Sequence, residues 1–218
     1  MRPTQRLSNL QKSSLKRLSK LRFIASSAIK KFPSLESEVS LSFIVIDLLN
    51  TWGNFCRSYY LSCILKPKLI GGGRITISST ILATPNFNNA IGLAVKKQKK
   101  NPQPKANGTW DRRDEPAWHD PNNLMQLCKD LNCSNLSDIE SAFSIGSRVY
   151  LDLPVFRNFF AHKNQQSELA AMQRAPQYGI SATNRPSIIL FSRPLNRPSS
   201  LIFDWIDDIE LTVEYLCY

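Results

Sequence analysis

The sequence predicts a mainly α-helical, all-α class fold with a single domain spanning residues 1–218. Apolar residues return every three to four positions in the main segments, and proline or small polar residues stand where these segments begin or end. The length and the hydrophobic content of 42% allow one sizeable core. We therefore expect a helical bundle with one long Gly-, Pro- and Trp-containing connection, an insertion at about residues 66–121.

Two long helices are predicted first. Residues 7–32 carry apolar positions at helical spacing with Lys and Arg between them, which indicates a basic amphipathic helix. Residues 35–65 are apolar around most of the circumference, which indicates a buried helix with one narrow polar stripe. Three members of this stripe, Asn50, Asn54 and Arg57, are candidates for substrate binding, although a solvated helix edge explains such a stripe equally well.

The central segment predicts mostly irregular chain. The triple glycine at 71–73 and the β-favouring run at 75–81 indicate a flexible connection with a short strand at most, and the spacing is not that of a phosphate-binding P-loop. Thr84 and Pro85 predict the start of a helix that ends in several lysines. Residues 101–121 contain two tryptophans, which argue against full disorder, so we expect a long ordered loop or a partly mobile flap there.

The second half predicts further helices whose starts are marked by caps or proline. The expected elements are a helix at 121–131 capped by Asp120, a helix ending near 145 capped by Ser137, a helix at 154–172 opened by Pro154, irregular chain at 178–192, and a last helix at 198–216.

The charge of the chain favours a polyanionic partner. Twenty-eight Lys and Arg residues against 17 Asp and Glu residues give a formal net charge of +11. Such a field attracts nucleic acid and repels cationic partners. Charge alone also describes proteins that bind phosphate surfaces without function, so a site is needed.

Composition argues against several other classes of protein. Five cysteines without a CxxC pair suggest neither a disulfide framework nor a zinc knuckle, and they fit a reducing cytoplasm. Two histidines are too few for a histidine-rich metal site, so we expect no metal and no organic cofactor. The longest apolar stretch, residues 42–49, is too short to cross a bilayer, so we expect no membrane span.

One segment, residues 156–163, carries the pattern of a reactive site. Its phenylalanines gather on one side of a helix, whereas Arg157, Asn158 and His162 occupy the other. Asn158 and His162 stand one turn apart, so the amide can orient the imidazole, and the guanidinium of Arg157 suits a phosphate. A base for a 2′-hydroxyl and a cation for the scissile phosphate are the groups needed to cleave RNA without metal.

Arg157-Asn158-x-x-x-His162 resembles the Arg-x(4 to 6)-His signature of the HEPN superfamily, including the polar residue after the arginine. The resemblance covers about residues 137–172 and, by helix order, the first two helices. It implies a HEPN-like helical bundle that pairs into a homodimer, with two Arg/His sets forming one composite RNA-cleaving cleft. Such proteins are commonly toxins or antiviral, including antiphage, effectors that cut RNA without metal, so an antitoxin or defence partner protein is also implied.

Other interpretations stay open. Arg157 pairs with Asp152 or Glu168 in one of them, which leaves a non-catalytic module that binds nucleic acid or protein. A weaker possibility is an antitoxin or assembly subunit that pairs with a different chain. His119, beside two acids and a tryptophan, is a secondary candidate for substrate binding, as is Lys163, although a loop histidine at a helix cap explains His119 better.

Overall fold

The computed structural model describes residues 1–78, 86–144 and 146–218, and these are mostly helical, which confirms the predicted class. The helices in the described ranges are α1 (Leu7–Lys30), α2 (Leu35–Cys63), α3 (Phe87–Gln98), α4 (Pro121–Asp130), α5 (Leu136–Ser144), α6 (Val149–His162), α7 (Gln165–Met172), α8 (Pro186–Phe191) and α9 (Leu201–Cys217). Short 3-10 helices lie at Arg112–Asp114 and Ala175–Tyr178.

The chain separates into two compact units. The first unit comprises Met1–Ser13, Trp52–Ile145 and Val213–Tyr218. The second unit comprises Ser14–Thr51 and Gly146–Thr212. Helices α1, α2 and α9 contribute residues to both units, and the predicted single domain stays a prediction.

Helix α2 is the one described helix that is long and apolar enough, by length and composition, to cross a membrane. Half of its most apolar stretch is buried within the protein. A buried core helix can have the same length and composition, and the sequence predicts a buried helix at this place.

The connection after α2 contains no strand within its described part. Residues 75–78 form neither helix nor strand, and the described bridges are isolated ones that join Lys68 to Arg6 and to Arg74. The rest of the predicted strand at 79–81 and the predicted helix start at Thr84 and Pro85 lie outside the described residues. The side chain of Asn86 caps α3, since it accepts a hydrogen bond from the backbone N–H of Asn89 at 2.8 Å.

Two predicted helix starts were wrong. Helix α5 begins at Leu136, so Ser137 lies inside it, and the predicted end at Ile145 lies outside the described residues. Pro154 lies inside α6, which begins five residues earlier at Val149. The turn before Pro154 is helical because the backbone N–H of Asp152 bonds the carbonyl of Arg148 at 3.0 Å, a bond that does not need the missing N–H of proline.

The predicted helix at 154–172 was wrong in its continuity. Lys163 takes a left-handed conformation with φ 48° and ends α6, and its N–H bonds the carbonyl of Phe159 at 2.7 Å. Asn164 then starts α7, because its side chain accepts from the N–H of Ser167 at 2.8 Å. The irregular chain predicted at 178–192 also contains helix α8, with Pro186 in its first turn.

Several contacts tie residues 101–121 of the first unit, which we call the tryptophan loop, to α2. Arg57 and Glu115 form a two-bond ion pair, with N···O distances of 2.6 and 2.8 Å. The Glu115 side chain is only 4% exposed and also accepts from the indole N–H of Trp118 at 2.8 Å. The ring of Trp118 packs on Tyr60 with centroids 5.4 Å apart.

Replacing Gly92 with alanine should destabilise the first unit. A Cβ at Gly92 lies 2.6 Å from Nε1 of Trp110, so the indole that closes the loop against α3 has to move. We expect a loss of about 1–3 kcal/mol in the free energy of unfolding, as for other overpacked sites. Chemical denaturation of G92A beside wild type measures it, and Gly53→Ala is the matched control, because Gly53 also lies in a helix of this unit and its Cβ meets only ordinary contacts of 3.7–3.9 Å.

Candidate functional site

Helix α6 presents the predicted motif on its outer face. Phe156 and Phe160 are buried, and the Phe156 ring meets Trp205 edge to face with centroids 5.2 Å apart. The opposite face therefore points to solvent: Asn158 and His162 are exposed and Arg157 is half-buried. The buried phenylalanines hold the helix in place, and the polar residues face solvent, where a ligand can reach them, as the helical spacing predicts.

A buried carboxylate fixes the start of this helix. Asp152 is fully buried, accepts from the Tyr178 hydroxyl at 2.7 Å and from Nε of Arg148 at 3.2 Å, and lies 3.7 Å from Nε of Arg174. Burial, with the charge of Asp152 adding to it, raises the pKa of Tyr178 well above its ordinary value, so this hydroxyl stays protonated and donates. The network holds the first turn of α6 and hence the direction in which its last turn points.

An open cleft of about 370 Å³ lies where α6 ends and α7 begins. Its walls come from one face of α6 and from the cap and first turns of α7. The lining residues are Val155, Asn158, His162, Asn164, Gln166, Ser167 and Ala170. The left-handed turn at Lys163 creates this arrangement, because it redirects the chain directly after His162.

The α7 wall of the cleft is suited to an anion. The first N–H groups of a helix have no intrahelical acceptor, and Gln165 and Gln166 hold two of them. Together with the dipole of α7, these groups favour a negatively charged ligand at the end where Asn164 and Gln166 line the cleft. Sequence reasoning missed this contribution because it treated 154–172 as one helix.

Arg157 is available to a ligand. It forms no ion pair within the described ranges, and its Nη1 makes only a long, 3.4 Å hydrogen bond to Oδ1 of Asn158. The alternative pairing with Asp152 was wrong, because Arg148, Arg174 and Tyr178 occupy that carboxylate. Glu168 likewise makes no ion pair with Arg157 among the described residues.

The expected orientation of the imidazole by Asn158 is not present in this structure. Asn158 Oδ1 faces Arg157 instead, and within the described part of the chain the imidazole of His162 has no hydrogen-bond partner. Lys163 is exposed and does not line the cleft. The cleft therefore contains Asn158 and His162, with Arg157 adjoining it from the neighbouring position of the helix.

No protein-family model, characterised protein or solved structure matches the chain. A function for the chain therefore has to be inferred from its own side chains.

The secondary candidates for substrate binding do not line the cleft, and some of them already bond to other residues. Arg57 is held by Glu115, and Asn54 accepts from Nη2 of Arg112 at 2.8 Å, so both anchor the tryptophan loop within the first unit. The carbonyl of His119 accepts from the indole of Trp52 at 3.0 Å, and Asp120 caps α4. Asn50 is exposed in the second unit. Substrate binding by these four residues stays a prediction.

A cluster of buried thiols in the first unit was not predicted from the sequence. The sulfurs of Cys63, Cys128 and Cys133 all lie within 4.8 Å of one another, and all five cysteines are free thiols. Hydrogen bonds from Cys128 and Cys63 lower the pKa of the Cys133 thiol. The sequence signal for this cluster is the C-x4-C spacing at 128–133, which the absence of a CxxC pair does not exclude.

Proposed function

We propose that the protein is a metal-independent endoribonuclease of the HEPN type, with His162, Arg157 and Asn158 at its catalytic centre. The observation that carries the proposal is the cleft at the end of α6: a solvent-facing histidine lines it, an arginine without an ion pair in the described chain adjoins it, and the N-terminus of α7 forms its other wall. The net charge of +11 supports a polyanionic substrate.

The reaction follows from these groups. An imidazole accepts the proton of the ribose 2′-hydroxyl, the 2′-oxygen attacks phosphorus, and the bond from phosphorus to the 5′-oxygen breaks. The leaving 5′-oxygen takes a proton from an acid, which leaves a 2′,3′-cyclic phosphate and a 5′-hydroxyl. Arg157 and the first N–H groups of α7 stabilise the charge on the phosphate oxygens.

A homodimer supplies the second proton-transfer group. The reaction needs one base and one acid, whereas one chain places a single histidine in the cleft. Leu151 and Val155 lie on the same face of α6 as Asn158 and His162, at helical spacing, and the Leu151 side chain is 62% exposed. Pairing of two α6 faces across a twofold axis buries these apolar residues and brings two imidazoles together.

The biological setting that we propose is a cytoplasmic toxin or antiphage effector, restrained by an antitoxin or a defence-system partner. Free buried thiols suit a reducing compartment, where RNA is also the abundant polyanion. An enzyme with so open a cleft would cut cellular RNA widely, and a partner that covers the cleft would prevent this.

End-labelled single-stranded RNA, incubated with the purified protein in EDTA, tests the proposal. We expect cleavage that leaves 2′,3′-cyclic phosphate ends, and no cleavage of DNA with the same base sequence, which lacks the 2′-hydroxyl. Cleavage only after magnesium is added, or equal cleavage of the DNA, contradicts the proposal.

The second candidate function is a non-catalytic module that binds nucleic acid or protein. The observation that favours it is the missing hydrogen bond between Asn158 and His162, which leaves the imidazole without an orienting partner in the described residues. It predicts RNA binding that weakens steeply with salt and yields no product.

A further inference from the structure

We propose that Cys63, Cys128 and Cys133 form a zinc-binding site in the first unit, with three thiolate sulfurs as ligands. Three sulfurs bound to one zinc ion at about 2.3 Å lie roughly 3.8 Å apart in tetrahedral geometry. The three sulfurs here already lie within 4.8 Å of one another, so ligation requires each pair to close by about 1 Å or less.

The backbone after α4 holds two of the three sulfurs together. Asn132 is left-handed with φ 50°, its N–H bonds the carbonyl of Lys129 at 2.9 Å, and the N–H of Cys133 bonds the carbonyl of Cys128 at 3.0 Å. This pair of bonds defines a Schellman motif, in which the side chain two positions after the cap returns to the last turn of the helix. The motif usually joins two apolar side chains, and here it joins two thiols.

Helix α2 supplies the third sulfur. Cys63 is its last residue, and its thiol donates to the carbonyl of Tyr59 at 3.4 Å. The hydroxyl of Tyr59 accepts from Nδ2 of Asn135 at 2.7 Å, so the chain after Cys133 is fastened to the same turn of α2. The side-chain oxygen Oδ1 of Asn135 is buried and has no hydrogen-bond partner among the described residues. Asn135 follows Cys133 by two positions, so this unpaired acceptor lies close in sequence to the cluster.

The chemistry of the ligands and their burial favour zinc. Thiolates select soft or borderline ions such as Zn²⁺ and Cu⁺ over Mg²⁺ and Ca²⁺. All three cysteines are buried, and three thiolates leave a net charge of −1 on a Zn²⁺ site but −2 on a Cu⁺ site. The smaller buried charge costs less to desolvate. Three protein ligands leave the fourth tetrahedral position of zinc to a water molecule or another ligand, and binding would join the end of α2 to the turn between α4 and α5.

The test uses the full chain, reduced and stripped of metal with a chelator, and then titrated with Zn²⁺ alone. We expect one equivalent of zinc to stay bound through gel filtration and the temperature of unfolding to rise. Cys128→Ser and Cys133→Ser should each weaken zinc binding at least tenfold. Cys56→Ser is the matched control: Cys56 is also buried in α2 but lies outside the cluster, and this variant should bind zinc like wild type.

X-ray absorption on the zinc-loaded wild type decides the ligands even if a serine variant fails to fold. The expected spectrum shows three sulfurs at about 2.3 Å. Fewer than three sulfurs, failure to retain zinc, a copper-only preference, or equal loss of zinc in the Cys56→Ser protein overturns the proposal. The zinc proposal is independent of the proposed RNA cleavage, because the three cysteines belong to the first unit, whereas the Arg157–His162 motif belongs to the second.

Discussion

His162→Ala should lower the rate of RNA cleavage in EDTA by about 10²–10⁴-fold, the range lost when a general acid–base group is removed. In a homodimer both proton-transfer groups are lost together, so we expect the upper end of the range. His162 is exposed at the last turn of α6, so its removal should leave the free energy of unfolding within about 0.5 kcal/mol of wild type.

The assay for His162→Ala is single-turnover cleavage of labelled RNA at several protein concentrations. Gln177→Ala provides a control, because Gln177 is exposed in the same unit and does not line the cleft. Arg157→Ala should also lose activity, whereas Arg193→Ala, which removes an exposed arginine of that unit, should keep it. Full activity of the His162→Ala protein removes this histidine from the mechanism.

Asp152→Ala should destabilise the protein by about 1–3 kcal/mol, as expected when a buried hydroxyl loses its acceptor. The change leaves Arg148 and Arg174 without their shared carboxylate and the Tyr178 hydroxyl without its acceptor. At about 2–4 °C per kcal/mol for a chain of this size, the temperature of unfolding should fall by about 6 °C.

Differential scanning calorimetry measures this loss. Asp152→Asn keeps an acceptor for Tyr178 but removes the charge, so it should cost less than alanine. Glu140→Ala, which removes an exposed acid, should change the free energy of unfolding by less than about 0.5 kcal/mol. A cost for Asp152→Ala equal to that of Glu140→Ala shows that the network does not hold α6.

The sequence predicted the helices whose apolar pattern repeats over several turns. Helices α1 and α2 end within two residues of their expected bounds, and Asp120 caps α4 as predicted. The predicted starts of α5 and α6 were wrong. Ser137 and Pro154 are typical first residues of helices, but tertiary contacts, above all those of the buried Asp152, extend α6 toward the N-terminus.

The cleft could not be predicted from the pattern of residues along the sequence alone. The motif predicted which residues of α6 face solvent, because helical spacing fixes the face. The break at Lys163 requires a left-handed non-glycine residue, which sequence patterns indicate weakly, and without it the N-terminus of α7 cannot face His162. Arg57 could not be assigned from the sequence pattern either. Its place in a polar stripe suggested substrate binding, but it forms an ion pair with Glu115, which lies 58 residues away in the sequence.

The most direct test of the central claim is cleavage, in EDTA, of two labelled RNAs that differ at one position. Once the cut site is mapped, the second RNA carries a single 2′-deoxynucleotide on the 5′ side of the scissile phosphate, and circular dichroism in the same buffer verifies that the protein stays folded. The account predicts that wild type cuts the first RNA to a 2′,3′-cyclic phosphate and leaves the second intact at that position. Cleavage of both RNAs at equal rates contradicts it, because the nucleophile is then not the 2′-hydroxyl.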